Sequence, residues 1–166
     1  KTVTHEDVSF EQLGGADIHA GTSGVAHFVH DSEPQCLAAI RELVGYLPSN
    51  NLDPAPVLPT ADPEDRRDEA LLDVIPANAT QPYDMHDVIR RVVDDGLFHE
   101  VHGEYAGNLL VGLARLGGQS VGVVANQPAV LAGVLDINAS VKGARFIRFC
   151  DAFNIPLVTF EDVPGF

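Results

Sequence analysis

Two apolar runs separated by a pair of glycines constrain this chain more than any other feature. Asn108–Leu116 and Gln119–Val124 flank Gly117-Gly118. That is the pattern of two antiparallel strands joined by a tight turn whose central residues take positive φ. Val121-Gly122-Val123-Val124-Ala125 shows no polar alternation, so it reads as a strand covered on both faces. A helix from an N-cap at Asn138 to about Asp151 follows, and Ile155–Phe160 then reads as a short buried strand. A helix between two buried strands implies a parallel crossover. The C-terminal half is therefore strand, strand, helix, strand, loop: an α/β arrangement. Ligands of such sheets sit beyond the carboxyl ends of the strands. Two loops qualify, Asn126-Gln127-Pro128 and Asp162–Phe166.

Upstream, Ser9 with Gln12 fits a capping box, and the short helix it opens is expected to end at Gly14-Gly15. Small residues follow (Ala20, Gly21, Ser23, Gly24), then a strand-like Val25–His30. Ser32 with Gln35 is a second capping box. Leu37, Ile40, Leu43, Val44 and Leu47 recur at helical spacing, so Ser32 to about Tyr46 reads as an amphipathic helix. Pro48, Pro54, Pro56, Pro59, Pro63, Pro76 and Pro82 are seven of the chain's eleven prolines. Among them lies Asp62–Glu69, a charged run with no apolar face. This stretch reads as a linker or surface crossing. Asp84 opens another helix, with Met85, Val88, Ile89 and Val92 on one face and Gly96 near its end. Leu97–Val101 reads as a strand.

The formal charge of −14 over 166 residues opposes binding to nucleic acid phosphates. Apolar residues make up 45% of the chain, yet no run approaches the roughly 20 residues that span a bilayer, so no membrane partner is expected. Cys36 and Cys150 stand apart in sequence, outside any CxxC pair. They read as small core residues on helices in a reducing compartment. Seven histidines raise the question of a metal. His27 and His30, on a strand, fall on opposite faces, and His99 and His102 lack a third ligand at useful spacing, so no metal site is expected. Asp136 and Asp151 are expected to cap or to pair with Arg145 or Arg148. Lys142, Arg145 and Arg148 are expected to meet nearby acidic side chains.

Val121–Pro128, Leu135–Phe160 and Asp162–Phe166, with Glu11–Val29 and Tyr46–Asn51 upstream, resemble in order and spacing the carboxyltransferase subunit of the biotin-dependent acyl-CoA carboxylases, nearest the propionyl-CoA carboxylase beta chain. The resemblance covers essentially the whole chain. It implies a crotonase/ClpP-like fold, two related domains of stacked ββα units. On that reading, residues 1–51 end the acyl-CoA-binding domain, 52–83 link the domains, and 84–166 begin the carboxybiotin-binding domain. The chain stops inside the Asp162–Phe166 segment, so it is expected to be a central piece of a longer enzyme and inactive by itself.

The family's reaction, by the same resemblance, moves a carboxyl group from biotin to the α carbon of an acyl-CoA, with propionyl-CoA favoured and methylmalonyl-CoA as product. Two oxyanions then need backbone N–H donors, each worth roughly 3–4 kcal/mol. The glycine-rich turns that supply them are expected outside this chain, so no catalytic residue is assigned within it. For the biotin and acyl pocket the resemblance marks Pro164, Gly165 and Phe166. Pro164 fixes the turn, Gly165 admits close backbone approach, and Phe166 packs on the ligand. Read without the resemblance, the segment is an ordinary strand-ending turn. Asn126 either edges that pocket or caps a turn with its side chain. On the acyl-CoA side Gly14, Gly15, Ser23 and Gly24 are marked. Gly14-Gly15 also fit a plain helix C-cap, and Ser23-Gly24 a tight crossing of small residues.

The implied cofactor is biotin, carried on a partner. The implied partners are an acyl-CoA substrate, a biotin carboxylase or biotin carrier subunit, and further copies in a hexamer. The expected location is cytoplasmic, or the mitochondrial matrix in a eukaryote. Acyl-CoA decarboxylases and transcarboxylases share the same segments. A reading of another class is a non-catalytic piece that offers only subunit-interface surface.

Overall fold

The computed structural model of the chain describes residues 7–78 and 81–164. One mixed sheet organises it. Strands β1 (His99–Val101), β2 (Leu109–Leu116), β3 (Gln119–Asn126) and β4 (Leu157–Phe160) lie side by side in sequence order. The first three run antiparallel and β4 is parallel to β3. The 16-residue helix Ile137–Ala152 makes the crossover between β3 and β4. We number the helices α1 (Phe10–Gly14), α2 (Glu33–Tyr46), α3 (Leu71–Val74), α4 (Met85–Val92) and α5 (Ile137–Ala152).

The apolar runs are continuous because both faces of β2 and β3 are covered. Leu109, Val111 and Leu113 point to one face, where they meet Ala139, Phe146 and Cys150 of α5 and Tyr46 of α2. Leu110, Ala114, Val121, Val123 and Ala125 point to the other, against Met85, Ile89 and Val93. Gly122 is what lets α5 come close. A Cβ there would lie 2.6 Å from Cys150 Sγ and 2.9 Å from Leu157 Cδ2. The hairpin turn takes φ of 58° at Gly117 and 77° at Gly118, the two positive values that match strand twist. Asp94 accepts both turn N–H groups, at 3.0 and 2.7 Å.

The proline-rich stretch is pinned by polar contacts. Leu58 N–H donates to Gly118 O. Arg66 pairs with Asp62 and donates to Val92 O and Val93 O, while Arg91 pairs with Asp68. Arg115 donates to Pro56 O and Gly45 O and lies over the Tyr46 ring. Within it only α3 is helical among the described residues.

Several expectations are corrected. Val25–His30 is no strand. Among the described residues its backbone bonds are Ala26 N–H to the nearby His19 O and His102 N–H to His27 O, too few partners to build a ladder. Ser32 makes no side-chain cap. Pro34 presets the first helical turn and removes one of the donors a cap would serve, while Ser32 O accepts Cys36 N–H. The N-cap of α5 is Asp136, not Asn138; its carboxylate accepts Ala139 N–H at 2.8 Å. β4 is half-exposed, not buried, because it is the edge strand and only Val158 and Phe160 pack inward. Leu37, Ile40 and Val44 of α2 are exposed, and that helix rests on the core through Leu43, Tyr46 and Leu47. Cys150 is buried in the core but Cys36 is exposed.

Lys142 does not meet acidic side chains. It is 1% exposed, and its Nζ donates to the carbonyls of His102, Tyr105 and Ala106 at 2.9, 2.7 and 3.3 Å. A long stem with a single charge at its tip can reach three carbonyls of one loop, which a surface ion pair does not require. Burial pushes its amine down to about 8, against the pull of the Glu100 charge. No helix among the described residues is long and apolar enough to cross a membrane.

Candidate functional site

The candidate site is a cleft at the carboxyl ends of β3 and β4. Three segments wall it. The first is the end of the proline-rich stretch, with Ile75, Pro76, Gln81, Pro82 and Tyr83. The second is the turn after β3, with Pro128 and Ala132. The third is the exit of β4, with Asp162, Val163 and Pro164. Its volume is about 470 Å³, within the range of small-molecule sites.

Each wall has a local cause. β3 ends at Asn126, whose buried side chain donates from Nδ2 to Gly133 O at 2.8 Å and holds the following turn in place. That turn runs through Leu131, Ala132 and Gly133 with φ of 51°, 53° and 75°. Three successive left-handed residues, two of them alanine and leucine, are costly and characteristic of functional segments. The bonds that close it use Val130, Gly133 and Val134 as donors. Gly133 also admits the third wall, since a Cβ there would lie 2.7 Å from Asp162 O. Tyr83 completes the frame. It is partly buried against the core cluster that includes Met85 and Ile89, and its hydroxyl donates to Asp162 Oδ2 at 2.7 Å. Burial, then the bond to Asp162, pushes the phenol up to about 12.

Behind the cleft a polar chain ties α4 to the sheet. Gln127, 4% exposed, accepts Met85 N–H and donates to Asp84 Oδ1 at 2.7 Å. Asp84 caps α4 through His86 N–H. The His86 ring lies between two carboxylates, Asp84 Oδ1 at Nδ1 and Glu100 Oε2 at Nε2, both at 2.7 Å. The bond to Glu100 raises the His86 pKa against the opposing effect of burial. Burial disfavours the Asp84 carboxylate, but the bonds from Gln127 and His86 outweigh it and lower its pKa.

Of the residues marked in the sequence, Pro164 lines the cleft. Gly165 and Phe166 lie outside the described residues. Asn126 sits one layer behind, holding the turn that borders the cleft. The four N-terminal residues lie elsewhere. Gly15 is the C-cap of α1, where a Cβ would collide with Glu11. Gly14 approaches His19, whose Nδ1 lies 3.2 Å from Ser23 Oγ. Gly24, φ 61°, presses on the Tyr105 ring. Beside this segment is a smaller cleft of about 220 Å³ lined by Ala20, His27, His30, Glu100 and Glu104. His27 does not stand on a strand; its ring stacks on His102 at 3.9 Å. Burial, then the charges of His27 and Lys142, push His102 down to about 4. Among the described residues no group of three or more His, Cys, Asp and Glu is placed to hold a metal ion.

Sequence reasoning missed Tyr83 and the proline-rich wall. The available signal was an aromatic with a polar tip directly before the Asp84 cap.

Comparison with known proteins agrees with this architecture. The family model described as "Carboxyl transferase domain" matches residues 1–166. The alpha subunit of methylmalonyl-CoA decarboxylase from Veillonella parvula is 57% identical over 100% of this chain and 33% of its own length. The mitochondrial propionyl-CoA carboxylase beta chain of Sus scrofa is 54% identical over 100% of this chain and 31% of its own. The solved transcarboxylase 12S, a hexamer with methylmalonyl-CoA and methylmalonic acid bound, superposes with a TM-score of 0.95 at 45% identity. It covers 100% of this chain and 32% of that one. The chain thus spans about a third of the length of the curated relatives it matches. Its sheet and crossover are those of the crotonase-like fold. With the match running from the first residue to the last, the chain belongs to the carboxyl transferase domain family.

Proposed function

We propose that the protein carrying this chain moves a carboxyl group between biotin and the α carbon of a short-chain acyl-CoA, with propionyl-CoA giving methylmalonyl-CoA. The observation that carries this reading is the cleft beyond the carboxyl ends of β3 and β4, bordered by the Asp162–Pro164 segment. Relatives named for propionyl-CoA and methylmalonyl-CoA chemistry support it.

The cleft fits the bicyclic ring of biotin. Pro128, Val163 and Pro164 offer apolar edges, and Gln81 and Asp162 offer polar atoms at the rim. Biotin, carried on a partner subunit, supplies a transferable carboxyl group on its ureido nitrogen. The residues of this chain hold and shield the ring. The apolar edges of Pro128, Val163 and Pro164 shield one side of the ring from water, which slows loss of a labile carboxyl. The left-handed turn at Leu131–Gly133 contributes Ala132, a small residue, to the wall. Gly165 and Phe166 are assigned to the biotin and acyl pocket in this reading, and Asn126 acts through the turn it holds. Gly14, Gly15, Ser23 and Gly24 belong to the acyl-CoA side, next to the smaller cleft. Residues 1–51 close one domain, 52–83 connect, and 84–166 open the next. The partners are a biotin carboxylase or biotin carrier subunit and further copies in a hexamer, located in the cytoplasm or the mitochondrial matrix.

The test is product analysis with the purified full-length protein. Methylmalonyl-CoA plus biotin should yield propionyl-CoA and carboxylated biotin by mass spectrometry. Absence of both products with methylmalonyl-CoA and malonyl-CoA alike rejects the reading. A decarboxylase or transcarboxylase role is the alternative, and the partner subunits that copurify separate the three. Exposed Leu37, Ile40 and Val44 on α2 favour one reading of another class, a piece that contributes interface surface alone. A clean folded monomer of this chain on size exclusion would reject it.

A further inference from the structure

The third wall of the cleft leaves a strand that is only half-buried, and among the described residues β4 pairs with β3 alone. A segment in that position is free to swing unless something else holds it. Two contacts hold it here. Gly133 lets the backbone oxygen of Asp162 rest on the left-handed turn. Tyr83, separated from it by 79 positions in sequence, donates its hydroxyl to Asp162 Oδ2 at 2.7 Å. The tyrosine is itself anchored, because it is partly buried and packs against the core cluster that includes Met85 and Ile89 of α4, as does Phe160, two residues before Asp162. The phenol keeps its proton at any working pH, since it is pushed up to about 12, and it therefore stays a donor.

We infer that Tyr83 is a positioning residue: through its hydrogen bond to Asp162 it holds the Asp162–Pro164 wall at the setting that accepts the carboxyl donor. This rests on the function proposed above, and it adds a residue, a partner atom and a side of the reaction. Tyr83 touches neither substrate in this account. It acts through Asp162, and the side of the reaction it affects is biotin binding.

The experiment uses full-length protein with Tyr83→Phe, Asp162→Ala and the double variant. Phenylalanine keeps the ring in the core. Two readouts are taken: steady-state kinetics with free biotin and with acyl-CoA varied separately, and hydrogen–deuterium exchange over residues 161–164. A charge-assisted bond at a mobile wall should make the KM for biotin rise about tenfold in each single variant. The KM for acyl-CoA should stay within about twofold, and the double variant should resemble the singles. Exchange should quicken at 161–164 and not in α5. Unchanged exchange overturns the inference. So does faster exchange with an unchanged KM for biotin, or an equal rise in both KM values, which marks general loosening. A wild-type protein with no biotin-dependent transfer rejects the proposed function instead, and the exchange data then decide the positioning contact alone.

Discussion

Replacing Lys142 with methionine removes one charge and leaves the apolar stem in place. The side chain is 1% exposed and its ammonium serves three carbonyls of the 102–106 loop. That loop contains two left-handed non-glycine residues, His102 at φ 57° and Ala106 at φ 46°. Each costs about 1–3 kcal/mol to hold, so the ammonium is what keeps the strained loop closed on α5. In Lys142→Met the bond to His102 O is lost where water does not reach, at the full cost of about 1–3 kcal/mol. The Tyr105 and Ala106 carbonyls are partly exposed and recover water. Relief from burying a charge offsets part of the loss. The net expectation is a destabilisation of about 1–2 kcal/mol, measured by chemical denaturation of the full-length protein. The wild type adds a pH signature. Its buried amine is pushed down to about 8 while the unfolded chain titrates near 10.4. Between those values the unfolded state binds more protons, so wild-type stability should rise with pH in that window. The carbonyl acceptors favour the ammonium and narrow the window. Lys142→Met should lack the rise. A change under about 0.5 kcal/mol, the scale of a plain surface substitution, would refute the clamp.

Further outcomes follow from other contacts. The raised pKa of His86 means the two-carboxylate bridge stabilises fully below about pH 6.5 and is lost as pH rises through the folded value. His86→Gln should flatten the wild-type decline in thermal midpoint over that range, and an identical pH profile would count against the bridge. Gly122→Ala places a methyl 2.6 Å from Cys150 Sγ. The helix must move, at about 1–3 kcal/mol, and an unchanged denaturation midpoint would show that α5 packs less closely than described. Gly133→Ala adds strain at φ 75° and a methyl 2.7 Å from Asp162 O. It should cost about 1–3 kcal/mol and quicken exchange at 161–164; slow exchange there would refute the seat.

The hairpin, the crossover and the helices opening at Ser32 and Asp84 were legible because their signals are local, although the second helix ends at Val92, short of the expected Gly96. Glycine pairs, apolar runs and spaced aliphatics report the backbone they require. The edge position of β4 was not legible, since Ile155–Phe160 is apolar whether one face or both are covered. Val25–His30 misled for a related reason: a strand-like composition cannot supply a neighbouring strand. Lys142 was unreadable because its partners are carbonyls of a loop 36 to 40 residues away. The loops that carry the cleft were found from the rule about strand ends. The proline-rich wall was not, because a segment without periodicity announces no face, and Tyr83 reaches Asp162 only through the fold.

The central claim is that the carboxyl donor occupies the cleft at the ends of β3 and β4. Val163 lines it and is partly buried, so Val163→Trp should fill much of its space. The decisive measurement is biotin-dependent exchange of labelled carboxyl from methylmalonyl-CoA, in full-length wild type and in this variant at matched folding and oligomeric state. The account predicts exchange in the wild type and a fall of about a hundredfold or more in the variant, as expected when binding geometry is lost. Full exchange in a folded, cleft-filled variant would contradict it.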